Sequence, residues 1–115
     1  MCITVYHNNR WGKSRKVLQL LRDNNTKFTI IEYLNDPPSV ARLGKICKYL
    51  SILPIDLVRT YDNNFKDLKV DINNMNFDQI LELIANNPKI LERPIIIKNH
   101  SGVIGRPPDN VKKLF

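Results

Sequence analysis

The chain has 115 residues, 43% of them hydrophobic and 25% charged, with a formal net charge of +7. That length fits one domain with a real core and leaves no room for two. The charge admits anionic partners, but the basic residues are spread along the chain, which favours a solvated cationic surface over a nucleic-acid interface.

The first elements are a strand, a polar loop and a helix. Cys2-Ile3-Thr4-Val5-Tyr6 is a short apolar run that reads as a strand. Val17, Leu18, Leu20 and Leu21 have the spacing of a buried helical stripe. Between them lies His7-Asn8-Asn9-Arg10-Trp11-Gly12-Lys13-Ser14-Arg15. The first N–H groups of a helix have no internal partner, and the helix dipole adds partial positive charge there. With Arg10, Lys13 and Arg15 alongside, this loop is a physical setting for an anion.

Asp23-Asn24-Asn25 ends the helix, and residues 27–34 have the alternation of a second strand. Strand, helix and strand make a βαβ unit, so the two strands are expected to be parallel. Pro37-Pro38-Ser39 turns into a helix capped by Ser39, whose apolar face carries Leu43, Ile46, Cys47 and Leu50. Cys47 inside that stripe reads as a small buried side chain and not as a reactive thiol. A further helix is expected from Pro54, with residues 62–64 and 71–76 as loops. Phe77, Ile80, Leu81 and Ile84 then mark an amphipathic helix that Asn87-Pro88 ends. Pro94-Ile95-Ile96-Ile97-Lys98 and Val103-Ile104 read as a hairpin across Asn99–Gly102, with His100 exposed in its turn. Gly105-Arg106-Pro107-Pro108 is a turn before a closing helix with Val111 and Leu114. Pro94 begins a strand, where proline suits an edge or a bend, and its peptide bond is a cis candidate. The fold class is α/β with a mixed sheet: a βαβ unit, a helical insertion, a β-hairpin and a C-terminal helix.

The two cysteines have no metal or CxxC spacing, which fits a reducing compartment. Neither a signal peptide nor an apolar run long enough to span a membrane is visible, so a cytoplasmic location is expected. No metal or bound cofactor is indicated.

Six pieces of the chain together resemble the ArsC-type arsenate reductase family, a branch of the thioredoxin/glutaredoxin-like fold. They are Tyr6-His7-Asn8 with Lys13-Ser14-Arg15, Glu32-Tyr33-Leu34 leading to Pro37-Pro38, Asp56-Leu57-Val58-Arg59, Asn87-Pro88, Glu92-Arg93-Pro94-Ile95, and Gly105-Arg106-Pro107. The resemblance covers essentially the whole chain and implies one ArsC-like domain over residues 1–115. It implies that Arg93-Pro94 is a cis-proline junction beside the site, and that Arg59, Arg93 and Arg106 converge on an oxyanion such as arsenate, phosphate or sulfate. Guanidinium groups suit that task, because each offers a rigid, permanently charged fork of donors to two oxygens.

Where the family carries its nucleophilic cysteine, this sequence has Trp11, and Asn9 stands where the family usually has proline. A helix N-terminus lowers a thiol's pKa and so prepares a thiolate for attack, with glutathione and glutaredoxin completing the reduction. An indole has one N–H donor and no such chemistry. Cys2 lies roughly 15 Å back along the strand, beyond direct attack. Ser14 would need a base, and His7 is the nearby candidate. The expectation is therefore an oxyanion pocket with impaired or absent thiol turnover. Two alternatives share the fold: a non-catalytic anion-binding protein with Trp11 as a lid or a plug, and an interaction module resembling the Spx-type regulators that bind RNA polymerase, with Trp11 and Ser14 in place of their CxxC switch.

Overall fold

The computed structural model describes residues 3–8 and 12–115, and for residues 12–14 the description is confined to the backbone. The chain divides into two compact units, Met1–Asp36 with Arg93–Phe115, and Pro37–Glu92. Among the described residues no helix is long and apolar enough to cross a membrane.

The first unit holds the sheet. Its strands are β1 (Ile3–His7), β2 (Phe28–Glu32), β3 (Ile95–Lys98) and β4 (Ser101–Ile104), in the order β2-β1-β3-β4. β1 runs parallel to β2 and antiparallel to β3, and β3 pairs antiparallel with β4. The expectation of an α/β chain with a mixed sheet, parallel across the βαβ unit, is met. Helix α1 (Gly12–Asp23) makes the crossover. Asn25 closes it in the left-handed region at φ 55°, which asparagine tolerates better than most residues. Ile3 and Val5 of β1, Val17, Leu18 and Leu21 of α1, Ile96 and Val111 form one buried cluster. The alternation of β1 and the near-fourfold spacing of α1 aim these side chains at one another.

The second unit is helical. In α2 (Val40–Leu50) the Ser39 hydroxyl accepts a hydrogen bond from the Arg42 N–H at 3.1 Å, and Leu43, Ile46 and Cys47 are buried. In α4 (Phe77–Asn86) Asn76 and Gln79 form a reciprocal cap, and Ile80, Leu81 and Ile84 are buried. Four expectations need correcting here and at the C-terminus. The helix expected from Pro54 is one 3-10 turn, Pro54–Leu57. Residues 63–64, expected as loop, belong to a short helix, α3 (Asn63–Lys66), because the Asp62 carboxylate accepts the Asn64 N–H at 2.9 Å and starts it. Phe77 is 49% exposed: it continues the spacing of the stripe, but at the first residue of the helix, where the stripe is no longer covered. The closing helix is a 3-10 stretch, Pro108–Leu114, with no side-chain cap from Asp109.

Candidate functional site

In the sheet unit β1 ends at His7, which is buried with Tyr6 and Asn8. The chain next described enters α1 at Gly12, whose first turn contains no acidic residue. A helix N-terminus whose first turn carries no acidic residue favours negative charge. Lys13 and Ser14 lie in that first turn, and the Arg15 side chain is exposed. Arg10 and Trp11, central to the sequence reading, lie outside the described residues, as does Cys2.

The hairpin brings two of the arginines to neighbouring stretches. β3 and β4 pair Ile95 with Ile104, and the Gly105 N–H donates to the Pro94 carbonyl at 2.8 Å. Arg93 and Arg106 are the residues that flank this Pro94–Gly105 contact in the chain. Each of these arginines precedes a cis proline, Pro94 and Pro107. The second cis bond was not foreshadowed by the sequence reading. Gly105 suits the close approach, because any larger residue there would force a neighbour to shift. A Cβ there would lie 2.8 Å from Ile96 Cδ1, 2.9 Å from Val17 Cγ2 and 3.0 Å from Pro94 Cγ. The contact with Val17 also places Gly105 against α1, one turn from its start. Asn110 pins the far side, its amide donating to the carbonyls of Ile104 at 3.1 Å and Arg106 at 3.2 Å.

Arg93 is 8% exposed, and its Nη1 donates to the hydroxyl of fully buried Tyr33 at 3.4 Å. The sequence reading did not single out Tyr33 as a functional residue. Its only signal was its place in the Glu32-Tyr33-Leu34 piece, because the contact spans 60 residues.

Arg59 lies in the helical unit. A short antiparallel pairing places it there: Val58 bridges Leu91, the Arg59 N–H donates to the Ile90 carbonyl at 2.8 Å, and the Glu92 N–H donates to the Leu57 carbonyl at 2.7 Å. The side chain is 2% exposed and faces two carboxylates, Asp62 Oδ2 at 3.3 Å from Nη1 and Glu92 Oε1 at 3.6 Å from Nε. Nε also donates to the Tyr61 hydroxyl at 3.3 Å, and the Tyr61 hydroxyl donates to Glu92 Oε1 at 2.5 Å. A cavity of about 660 Å³ in this unit is lined by Tyr61 and Glu92 together with Asp56 and Asp71. Its acidic lining is of the wrong sign for an oxyanion.

Cys47 is buried in α2, and its thiol is pushed up from 9.0 to about 11, first by burial and then by the charge of Asp56. At neutral pH it is a protonated core side chain, in line with its position on the apolar stripe. His100 is exposed in the hairpin turn. Among the described residues no group of three or more His, Cys, Asp or Glu side chains is placed to hold a metal ion.

The model of the ArsC family matches residues 6–114 of this chain. An arsenate reductase of Neisseria meningitidis serogroup B is 34% identical over 114 residues, spanning 98% of this chain and 97% of that one. One from Haemophilus influenzae is 33% identical over 116 residues, with both chains fully covered. The solved structure of an arsenate reductase from Vibrio cholerae superposes with a TM-score of 0.94 at 30% identity, covering 100% of this chain and 98% of that one.

Proposed function

This chain belongs to the ArsC family, and from that membership we propose that it is an oxyanion-binding protein of the arsenate reductase type whose thiol-based turnover is lost at Trp11. It acts as one ArsC-type domain over residues 1–115, in the cytoplasm. Its donors to the anion are Arg59, Arg93 and Arg106, joined by the backbone N–H groups that open α1 at Gly12, Lys13, Ser14 and Arg15. Guanidinium forks and helix N–H groups together replace the water shell of a dianion such as arsenate, phosphate or sulfate. His7 and Ser14 support the loop and do not replace a thiolate nucleophile.

The observation that carries the loss of turnover is the state of Cys47. It is the one cysteine among the described residues, and it is a buried thiol pushed up to about 11. Attack on arsenate needs a thiolate, and an acidic thiol belongs at a helix N-terminus, where this sequence has an indole. Glutathione and glutaredoxin have no covalent intermediate to reduce without it.

Calorimetry at low salt is expected to show arsenate binding to the full chain, while arsenate with glutathione and glutaredoxin yields no arsenite. Trp11→Cys is expected to acquire a thiol well below the ordinary value of about 8.5 and to show arsenate-dependent oxidation of that thiol. Turnover by the unaltered chain would overturn the loss of activity. Absence of binding heat would overturn the anion site.

A further inference from the structure

We propose that Glu92 and Tyr61 are positioning residues of Arg59: a resident carboxylate, steered by a phenol, that sets how strongly this arginine competes for an oxyanion. The inference rests on the reading of Arg59 as an anion ligand and goes beyond it by naming what controls that ligand.

The backbone brings the partners together. The bridge between Val58 and Leu91 puts residues 57, 59, 90 and 92 on one face of the pairing. Arg59 and Glu92 then lie on its diagonal, a spacing that long side chains reach across. Glu92 Oε1 accordingly lies 3.6 Å from Arg59 Nε, and Asp62 Oδ2 lies 3.3 Å from Nη1. A buried guanidinium requires such countercharges, since an isolated buried charge is costly. Here two carboxylates face one cation, so its charge is already more than offset before any ligand arrives. Carboxylate oxygens occupy the kind of position around the fork that the oxygens of a tetrahedral anion would use. An incoming dianion must compete with them.

Tyr61 decides how tightly Glu92 holds. Its hydroxyl donates to Glu92 Oε1 at 2.5 Å and accepts from Arg59 Nε at 3.3 Å, so it stands between the charges. Its ring lies 5.4 Å from the guanidinium carbon and adds a cation–π contact that survives loss of the hydroxyl. Take away the hydroxyl, and Glu92 loses a competing donor and turns its charge more fully on Arg59. Take away the charge on Glu92, and Arg59 becomes more available to an anion.

The two changes therefore move affinity in opposite directions, which a merely structural role would not do. Titration of the full chain with inorganic arsenate at low salt tests this. Glu92→Gln keeps the shape and the acceptor for Tyr61, and is expected to tighten binding on the order of tenfold, within the range of couplings measured between contacting residues. Tyr61→Phe is expected to weaken it by about threefold on the same grounds. Arg59→Ala should weaken binding strongly and erase the effect of Glu92→Gln when the two are combined. If Arg59→Ala weakens binding but Glu92→Gln leaves it unchanged or weakens it, the clamp is overturned and the anion site stands. If Arg59→Ala keeps the affinity of the unaltered chain, Arg59 is no ligand and both readings fall. Tyr61 is half-exposed, so Tyr61→Phe remains informative even if an Arg59 variant does not fold.

Discussion

In the sheet unit, Arg93 and Arg106 are placed by backbone: a hairpin register, the glycine it needs, and a proline after each arginine. In the helical unit, Arg59 is placed by charge, between Asp62 and Glu92 and against Tyr61. The difference teaches that a cation can be placed in two ways. Backbone placement fixes the stretch of chain that carries the guanidinium. Carboxylate placement orients it and offsets that charge at the same time. Substitutions in the first region should therefore act mainly through stability, and those in the second mainly through anion affinity.

The largest effect expected is at Gly105. A valine there brings a Cβ within 2.8–3.0 Å of Ile96, Val17 and Pro94 before its own methyl groups are counted. Overpacking a close contact of this kind should cost about 3 kcal/mol, read from urea unfolding. Gly105→Ala should cost less, because the methyl ends of Ile96 and Val17 can give. Unchanged stability in Gly105→Val would show that the two arginine-bearing stretches are not locked together.

Gly105 also shows how far the sequence alone reached. Its place in Gly105-Arg106-Pro107 was visible as a turn and as part of the family resemblance, but the three side chains it must admit come from β3, α1 and Pro94. The elements with strong local signals were legible: the apolar stripe of α1, the Ser39 cap of α2, and the β-branched run of β3. Elements held by one cap or one turn were not. Residues 63–66 form a helix because a single Asp62 carboxylate starts it, and the stretches at 54–57 and 108–114, expected as helices, are too short for their 3-10 type to be read. The candidate arginines were legible because they sit beside prolines or in recognisable pieces of sequence. Their partners were not, since Tyr33 meets Arg93 across 60 positions and Glu92 meets Tyr61 across 31.

A second test separates the two regions by their thiol chemistry. Cys47 is held protonated by burial and by Asp56, so its pKa is raised on folding, from 9.0 to about 11. A raised pKa means that the folded chain retains the proton which the unfolded chain has released. The stabilisation is complete below pH 9.0 and is lost as pH climbs toward about 11. The loss is on the order of 2 kcal/mol, measured as the difference in pH slope between the unaltered chain and Cys47→Ala. Equal slopes would mean that the thiol is not buried as described. In Trp11→Cys the contrast becomes internal to one molecule. The introduced thiol should react with an alkylating agent at mildly acidic pH, and Cys47 only at strongly alkaline pH.

The smallest effects come from one substitution made in both regions, and they bear most directly on the contrast between backbone and charge. Tyr33 is fully buried, and its hydroxyl receives a hydrogen bond from a guanidinium that is itself 8% exposed. Tyr33→Phe leaves that donor facing an apolar ring edge. The loss should be about 1 kcal/mol of folding stability, at the modest end for bonds to charged groups because the contact is long. Tyr61 is 52% exposed, and water can take the place of its hydroxyl. Tyr61→Phe should cost less than about 0.5 kcal/mol, as for most substitutions at exposed sites, while still shifting arsenate affinity through Glu92. Thermal unfolding and calorimetry on the two proteins then give opposite rankings: Tyr33→Phe larger in stability, Tyr61→Phe larger in affinity per unit of stability lost. If both readouts rank the two tyrosines the same way, the arginines are aimed by one principle and not two, because the phenol beside Arg59 would then be acting as packing and not as a regulator of charge.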